Sequence, residues 1–137
     1  MIPFFDINTE IISNEIFKIN NILKTEYNLR NQLISYMDKL STAVNNIVNP
    51  IDLNFIHNCL ANLKTNLDNI DNCILSLKSL ISLLKSFQEN SKNINIEKYS
   101  KRTYNINVKT TNIFNKAKRG TANAPFSFER FLNARII

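Results

Sequence analysis

Apolar residues recur at alternating spacings of three and four along the first ninety positions, in two series that meet at one proline. The first series runs Ile12, Ile19, Glu26, Leu33, Leu40 and Ile47, interleaved with Ile16, Leu23, Arg30, Met37 and Val44; all but Glu26 and Arg30 are apolar. After Asn49-Pro50 the second runs Leu53, Leu60, Leu67, Ile74, Ile81 and Gln88, interleaved with Ile56, Leu63, Ile70, Leu77 and Leu84, and only Gln88 interrupts it. An apolar repeat of 3.5 residues held over this length is the pattern of helices packed knobs-into-holes.

The junction has the chemistry of a helix start. Asn49 is suited to cap, Pro50 to the first helical position, and Asp52 places a carboxylate where the helix dipole favours it. The residue before a proline resists helical geometry, so two helices are expected rather than one kinked helix. With so few residues between the series, the predicted fold is mainly α: a long antiparallel two-helix hairpin, coiled-coil-like, that would bring Ile47 near Leu53 and Ile12 near Gln88. At 1.5 Å per residue it forms a rod about 60 Å long.

One Gly and three Pro in 137 residues leave little material for tight turns, which argues against a β-sandwich, a Gly-rich phosphate loop or a dinucleotide-binding unit. No apolar run approaches the roughly 18 residues of a membrane span, and the first residues lack the basic start of a signal peptide. The expectation is a soluble protein, cytoplasmic or held within an assembled particle. The two cysteines, Cys59 and Cys73, lie about 21 Å apart if they share a helix, too far for a disulfide, and suit a reducing compartment.

Two features indicate that the hairpin is not self-sufficient. Cys73, Leu80 and Phe87 form a second apolar stripe on helix 2, widened by Leu83 and Leu75, and something must cover it. The chain also changes character near Ser91. Residues 1–91 hold seven Lys and Arg against nine Asp and Glu, a net of −2, and residues 92–137 hold ten against two, a net of +8. We therefore divide the chain into a helical hairpin (1–91) and a basic tail (92–137) that docks on the hairpin or on a partner. Within the tail, Ile94 and Ile96, then Tyr104, Ile106 and Val108, alternate with polar residues and predict short strands. A basic loop follows from Lys116, and Ser127–Ile137 is read as a short terminal amphipathic helix. The apolar end, with Phe126, Phe128, Phe131 and Leu132, is expected to dock rather than fray.

Catalytic chemistry finds no foothold. His57 is the single histidine; with Cys59 it resembles a fragment of a metal site, but residues two apart on a helix point to different faces and Cys73 is too distant to complete it. No second acid or nucleophile can be placed beside Glu26. The chain is read as a non-enzyme with no cofactor, metal or small-molecule substrate. Glu26 and Arg30, four residues apart, are read as a polar layer in the seam that pairs internally and fixes register or chooses a partner; the alternatives are that their long side chains snorkel past the seam, or a local drift in phase that leaves Tyr27, Leu29 and Ile34 to carry the packing.

The constellation with chemical meaning is Lys98, Lys101, Arg102, Lys109, Lys116, Lys118 and Arg119, interspersed with Tyr99, Tyr104 and Phe114. Cations neutralise phosphates and exposed aromatics stack on unpaired bases. Two functions are carried forward. The first is a non-catalytic structural or adaptor subunit that meets a protein partner or itself through Cys73, Leu80, Leu83, Phe87, Phe126, Phe128, Phe131 and Leu132. The second is a nucleic-acid-binding protein that uses the basic tail, with the hairpin as its dimerisation element.

Overall fold

The computed structural model describes residues 3–46, 49–90 and 93–118, with side chains from Thr9 onward. Three helices account for almost all of them: α1 (Pro3–Val44), α2 (Pro50–Glu89) and α3 (Ile96–Lys118). All three pack on one another around a common apolar core.

The α1–α2 junction is built as its residues dictate. Asn49, at φ −68° and ψ 121°, is extended, as a residue before proline prefers to be; its side-chain oxygen accepts from Ile51 N at 2.8 Å, Pro50 begins the helix and Asp52 lies in its first turn. Opposite ends of the two helices meet. Near the end of α2, Gln88 Nε2 donates to Thr9 O at 3.0 Å and to Ser13 Oγ at 2.7 Å near the start of α1, and Arg30 meets Asp71 midway.

One heptad series on each long helix is sealed from solvent over its whole described length: Ile12, Ile19, Glu26, Leu33 and Leu40 on α1, and Ile56, Leu63, Ile70, Leu77 and Leu84 on α2. The interleaved series is mostly half-buried. What a two-helix seam would not produce is a third covered stripe on each, made of Glu15, Ile22, Leu29, Tyr36 and Ala43 on α1 and of Cys59, Asn66, Cys73, Leu80 and Phe87 on α2. These flanks receive α3. Tyr99 of α3 meets the Phe87 ring edge-on at 5.6 Å, and Lys18 Nζ reaches Ser100 Oγ at 3.3 Å.

The two-helix reading is therefore corrected to three, and the strand-like segments of the tail are corrected to helix. Residues 96–118 are continuously helical, and no strand occurs among the described residues. Asn95 starts α3 with its side-chain oxygen accepting from Glu97 N at 3.2 Å, an N-cap with an acid in the first turn. The face toward the core follows the helical period through Ile96, Thr103, Thr110 and Ala117, the last three wholly buried. Each buried threonine bonds back to its own helix, Thr103 to Tyr99 O at 3.0 Å and Thr110 to Ile106 O at 3.1 Å. A hydroxyl satisfied in this way can face a core at little cost. Polar residues on the inner face and β-branched residues along the helix made the segment read as alternating; burial against two long helices overrides that local preference. The terminal helix expected at Ser127–Ile137 lies outside the described residues.

Candidate functional site

Glu26 occupies the centre of the bundle and is completely buried. Its Oε1 accepts from Thr110 Oγ1 at 2.8 Å, across from α3, while Oε2 has no hydrogen-bond partner among the described residues. It does not pair with Arg30. Arg30 turns to α2, where its Nε donates to Asp71 Oδ1 at 2.6 Å with both side chains partly exposed. The polar layer in the seam exists, but its two members separate and tie α1 to different neighbours. The seam also stays in phase through this layer: Glu26 keeps the innermost position, Leu29 packs on the core, and Tyr27 lies at the surface under the Lys78 ammonium.

Burial pushes the Glu26 carboxyl above its ordinary range, and the Thr110 hydrogen bond only partly opposes this. The local geometry points the same way. A hydroxyl has one hydrogen, yet Thr110 Oγ1 lies within donating distance of both Glu26 Oε1 and Ile106 O. With Glu26 ionised, Thr110 donates to Oε1 and Ile106 O keeps its helical partner, but Oε2 stays buried with no partner among the described residues. With Glu26 protonated, the carboxyl donates to Thr110 and Thr110 donates to Ile106. Glu15, on the α1 stripe that faces α3, also buries an oxygen with no partner among the described residues.

The α2 stripe that needed a cover is covered from within the chain. Cys73 and Leu80 are buried and Phe87 is packed against α3, so these three form part of the core and not an open face; Leu83 sits at the rim, 37% exposed. Phe126, Phe128, Phe131 and Leu132 lie outside the described residues. Cys59 and Cys73 are both buried and are not joined in a disulfide, and His57 is exposed on α2. No group of three His, Cys, Asp or Glu able to hold a metal occurs among the described residues.

The basic residues of the tail are drawn together by α3. Lys98, Lys101, Arg102, Lys109, Lys116 and Lys118 are all exposed along one helix whose acid is Glu97 alone; Arg119 lies outside the described residues. Their companion aromatics divide. Phe114 is buried, Tyr99 packs on Phe87, and Tyr104 remains 66% exposed. Arg102, Lys109 and Lys116 recur every seven residues and so form one row, on the side of α3 nearest α2. Two of them, Lys109 and Lys116, line a groove of about 420 Å³ between the helices, with Asn66, Asn69, Asn105, Asn112, Val108 and Ile113. The heptad pattern of the first ninety residues does not reveal this groove, because six of its eight lining residues lie on α3, beyond that pattern.

Comparison with protein-family models, curated proteins and solved structures finds no match.

Among the described residues, no helix is long and apolar enough to cross a membrane.

Proposed function

We propose that the chain is a non-catalytic structural or adaptor subunit, in which α1 and α2 form an antiparallel hairpin and α3 braces it into a bundle. The observation that carries this reading is the use made of the chemically capable side chains. Glu26 is spent on Thr110, Arg30 on Asp71 and Gln88 on the start of α1, each joining one helix to another. A layer of this kind fixes which helices pair and in what register.

With the α2 stripe enclosed, the partner surface shifts to the side of the hairpin turned away from α3. Phe17 and Leu75 are 68% and 59% exposed there, and by heptad position both point outward from the α1–α2 seam. Large side chains left in water on a well-packed rod are where a second subunit gains most from contact.

Absolute mass by light scattering at micromolar concentration tests the proposal. The wild type is expected to run as a dimer or larger species, and Phe17→Ser with Leu75→Ser to return it to monomer with an unchanged thermal midpoint. A wild-type monomer, or a double variant that associates as before, removes this face from the proposal.

A further inference from the structure

The row formed by Arg102, Lys109 and Lys116 faces a bank of α2 that carries no charge. The heptad position of Asn69 on that bank is filled by Asn62 and Ser76 on either side. Asp68 is not among the residues lining the groove, and Asp71 is tied to Arg30. None of the three cations makes an ion pair among the described residues. Three uncompensated charges about 10.5 Å apart along a helix, beside neutral amides, match an extended polyanion rather than a single small anion.

The floor of the groove narrows the choice of polyanion. Asn66 is buried, and its Nδ2 is already donated to Asn62 O at 2.9 Å and to Asn62 Oδ1 at 3.2 Å. What Asn66 has left to offer a ligand is its carbonyl oxygen, an acceptor. An acidic peptide would bring carboxylate side chains, further acceptors, toward it, with only backbone N–H groups to donate. Nucleobases instead carry exocyclic amines that donate. The site is concave, so a base must leave its stack to reach the floor, and single strands permit this where duplexes resist.

We propose that the α2–α3 groove binds single-stranded nucleic acid, with Arg102, Lys109 and Lys116 along the phosphates and the asparagine amides at the base edges. The proposal goes beyond the scaffold reading and does not depend on it, since the groove lies away from Phe17 and Leu75. Val108 and Ile113 supply the apolar surface against which a base can rest.

The test is fluorescence anisotropy on the full chain with a labelled 20-nucleotide mixed-sequence single strand, the matching duplex and heparin as competitors, over a salt series. The single strand is expected to bind in preference to both, with affinity falling as salt rises. Replacing Arg102, Lys109 and Lys116 with Gln should weaken binding about tenfold or more and flatten the salt slope by roughly 2, at about 0.7 per lost single-strand phosphate contact. Replacing Lys24, Lys64 and Lys85 with Gln removes the same charge from elsewhere on the bundle and should change affinity less than about twofold. Asn69→Asp, at an exposed position that leaves the fold intact, should weaken binding several-fold by placing a carboxylate at the rim. The proposal is overturned by no single-strand binding in the wild type, by tighter binding of duplex or heparin, by equal loss in both triple variants, or by unchanged affinity in Asn69→Asp.

Discussion

At the residue scale, the Thr110 hydroxyl and the buried Glu26 carboxyl form a contact whose strength depends on pH. A carboxyl whose folded-state pKa is raised holds its proton in the native state at pH values where the unfolded chain has released it. Its favourable contribution is complete below the unfolded value and is lost as pH rises through the raised folded value. Glu26 should therefore make the protein less stable toward neutral and alkaline pH, the reverse of a salt-bridged acid. Glu26→Gln mimics the protonated form, because its amide donates to Thr110 at every pH. We expect it to stabilise the bundle at pH 8 by about 1–3 kcal/mol, the usual cost of a buried unsatisfied polar group, and to change little at pH 4. Urea unfolding at the two pH values measures this; equal effects at both would show that the carboxyl is ionised throughout. From the sequence, Glu26 and Arg30 were legible as a break in the seam. Their partners were not, because Thr110 and Asp71 are 84 and 41 residues away and nothing local selects them.

At the element scale, α3 stands apart from the other two helices. The seams of α1 and α2 are written in Ile and Leu, and their period is plain. The inner face of α3 mixes Thr103, Thr110 and Ala117 with Phe114 and the half-buried Ile96, Tyr99, Ile106 and Ile113, so threonines interrupt its apolar period and Tyr104, Ile106 and Val108 read as alternation; the start at Asn95, with Glu97 two residues on, is the local signal that marks a helix. That cap carries a prediction. Asn95→Ala removes the acceptor for Glu97 N and should cost about 1 kcal/mol, read as a shift in the urea midpoint with no change in slope. A fall in helicity at zero urea would instead mean that α3 melts from its own start while α1 and α2 persist. The caps at Asn49 and Asn95 do the same work, yet only the first was anticipated, because a proline announces it.

At the scale of the whole molecule, the question of what covers α2 now has an answer that can be probed by contrast. Leu80 and Leu83 are three residues apart, and both were read as partner-binding; Leu80 is enclosed, whereas Leu83 stands at the rim. Leu80→Asp places an unpaired charge in the core and should destabilise the bundle by several kcal/mol or unfold it. Leu83→Asp should stay within about 0.5 kcal/mol of wild type. Circular dichroism melts of the two variants decide the matter, and similar midpoints would place the α2 stripe at the surface after all. The charge division near residue 91 also takes on a spatial meaning. The cations from Lys98 to Lys118 ride on a helix that shares its core with the hairpin, so these charges belong to a face of the bundle.

Thr103 and Thr110 are one heptad apart and both are wholly buried, so α3 carries two notches that fit the same tooth on α1. Sliding α3 by seven residues in one direction sets Ala117 against Glu26 and leaves the carboxyl with no hydroxyl. Sliding it the other way sets Thr103 there and keeps the hydrogen bond, so the tooth alone resists travel in one direction only. What resists travel the other way is aromatic: the slip that keeps the hydroxyl carries Tyr99 about 10.5 Å along α2, out of reach of Phe87. Phe87 and Tyr99 thus hold the register that the Glu26 tooth leaves open, helped by Phe114, whose buried place the same slip would give to Asn107.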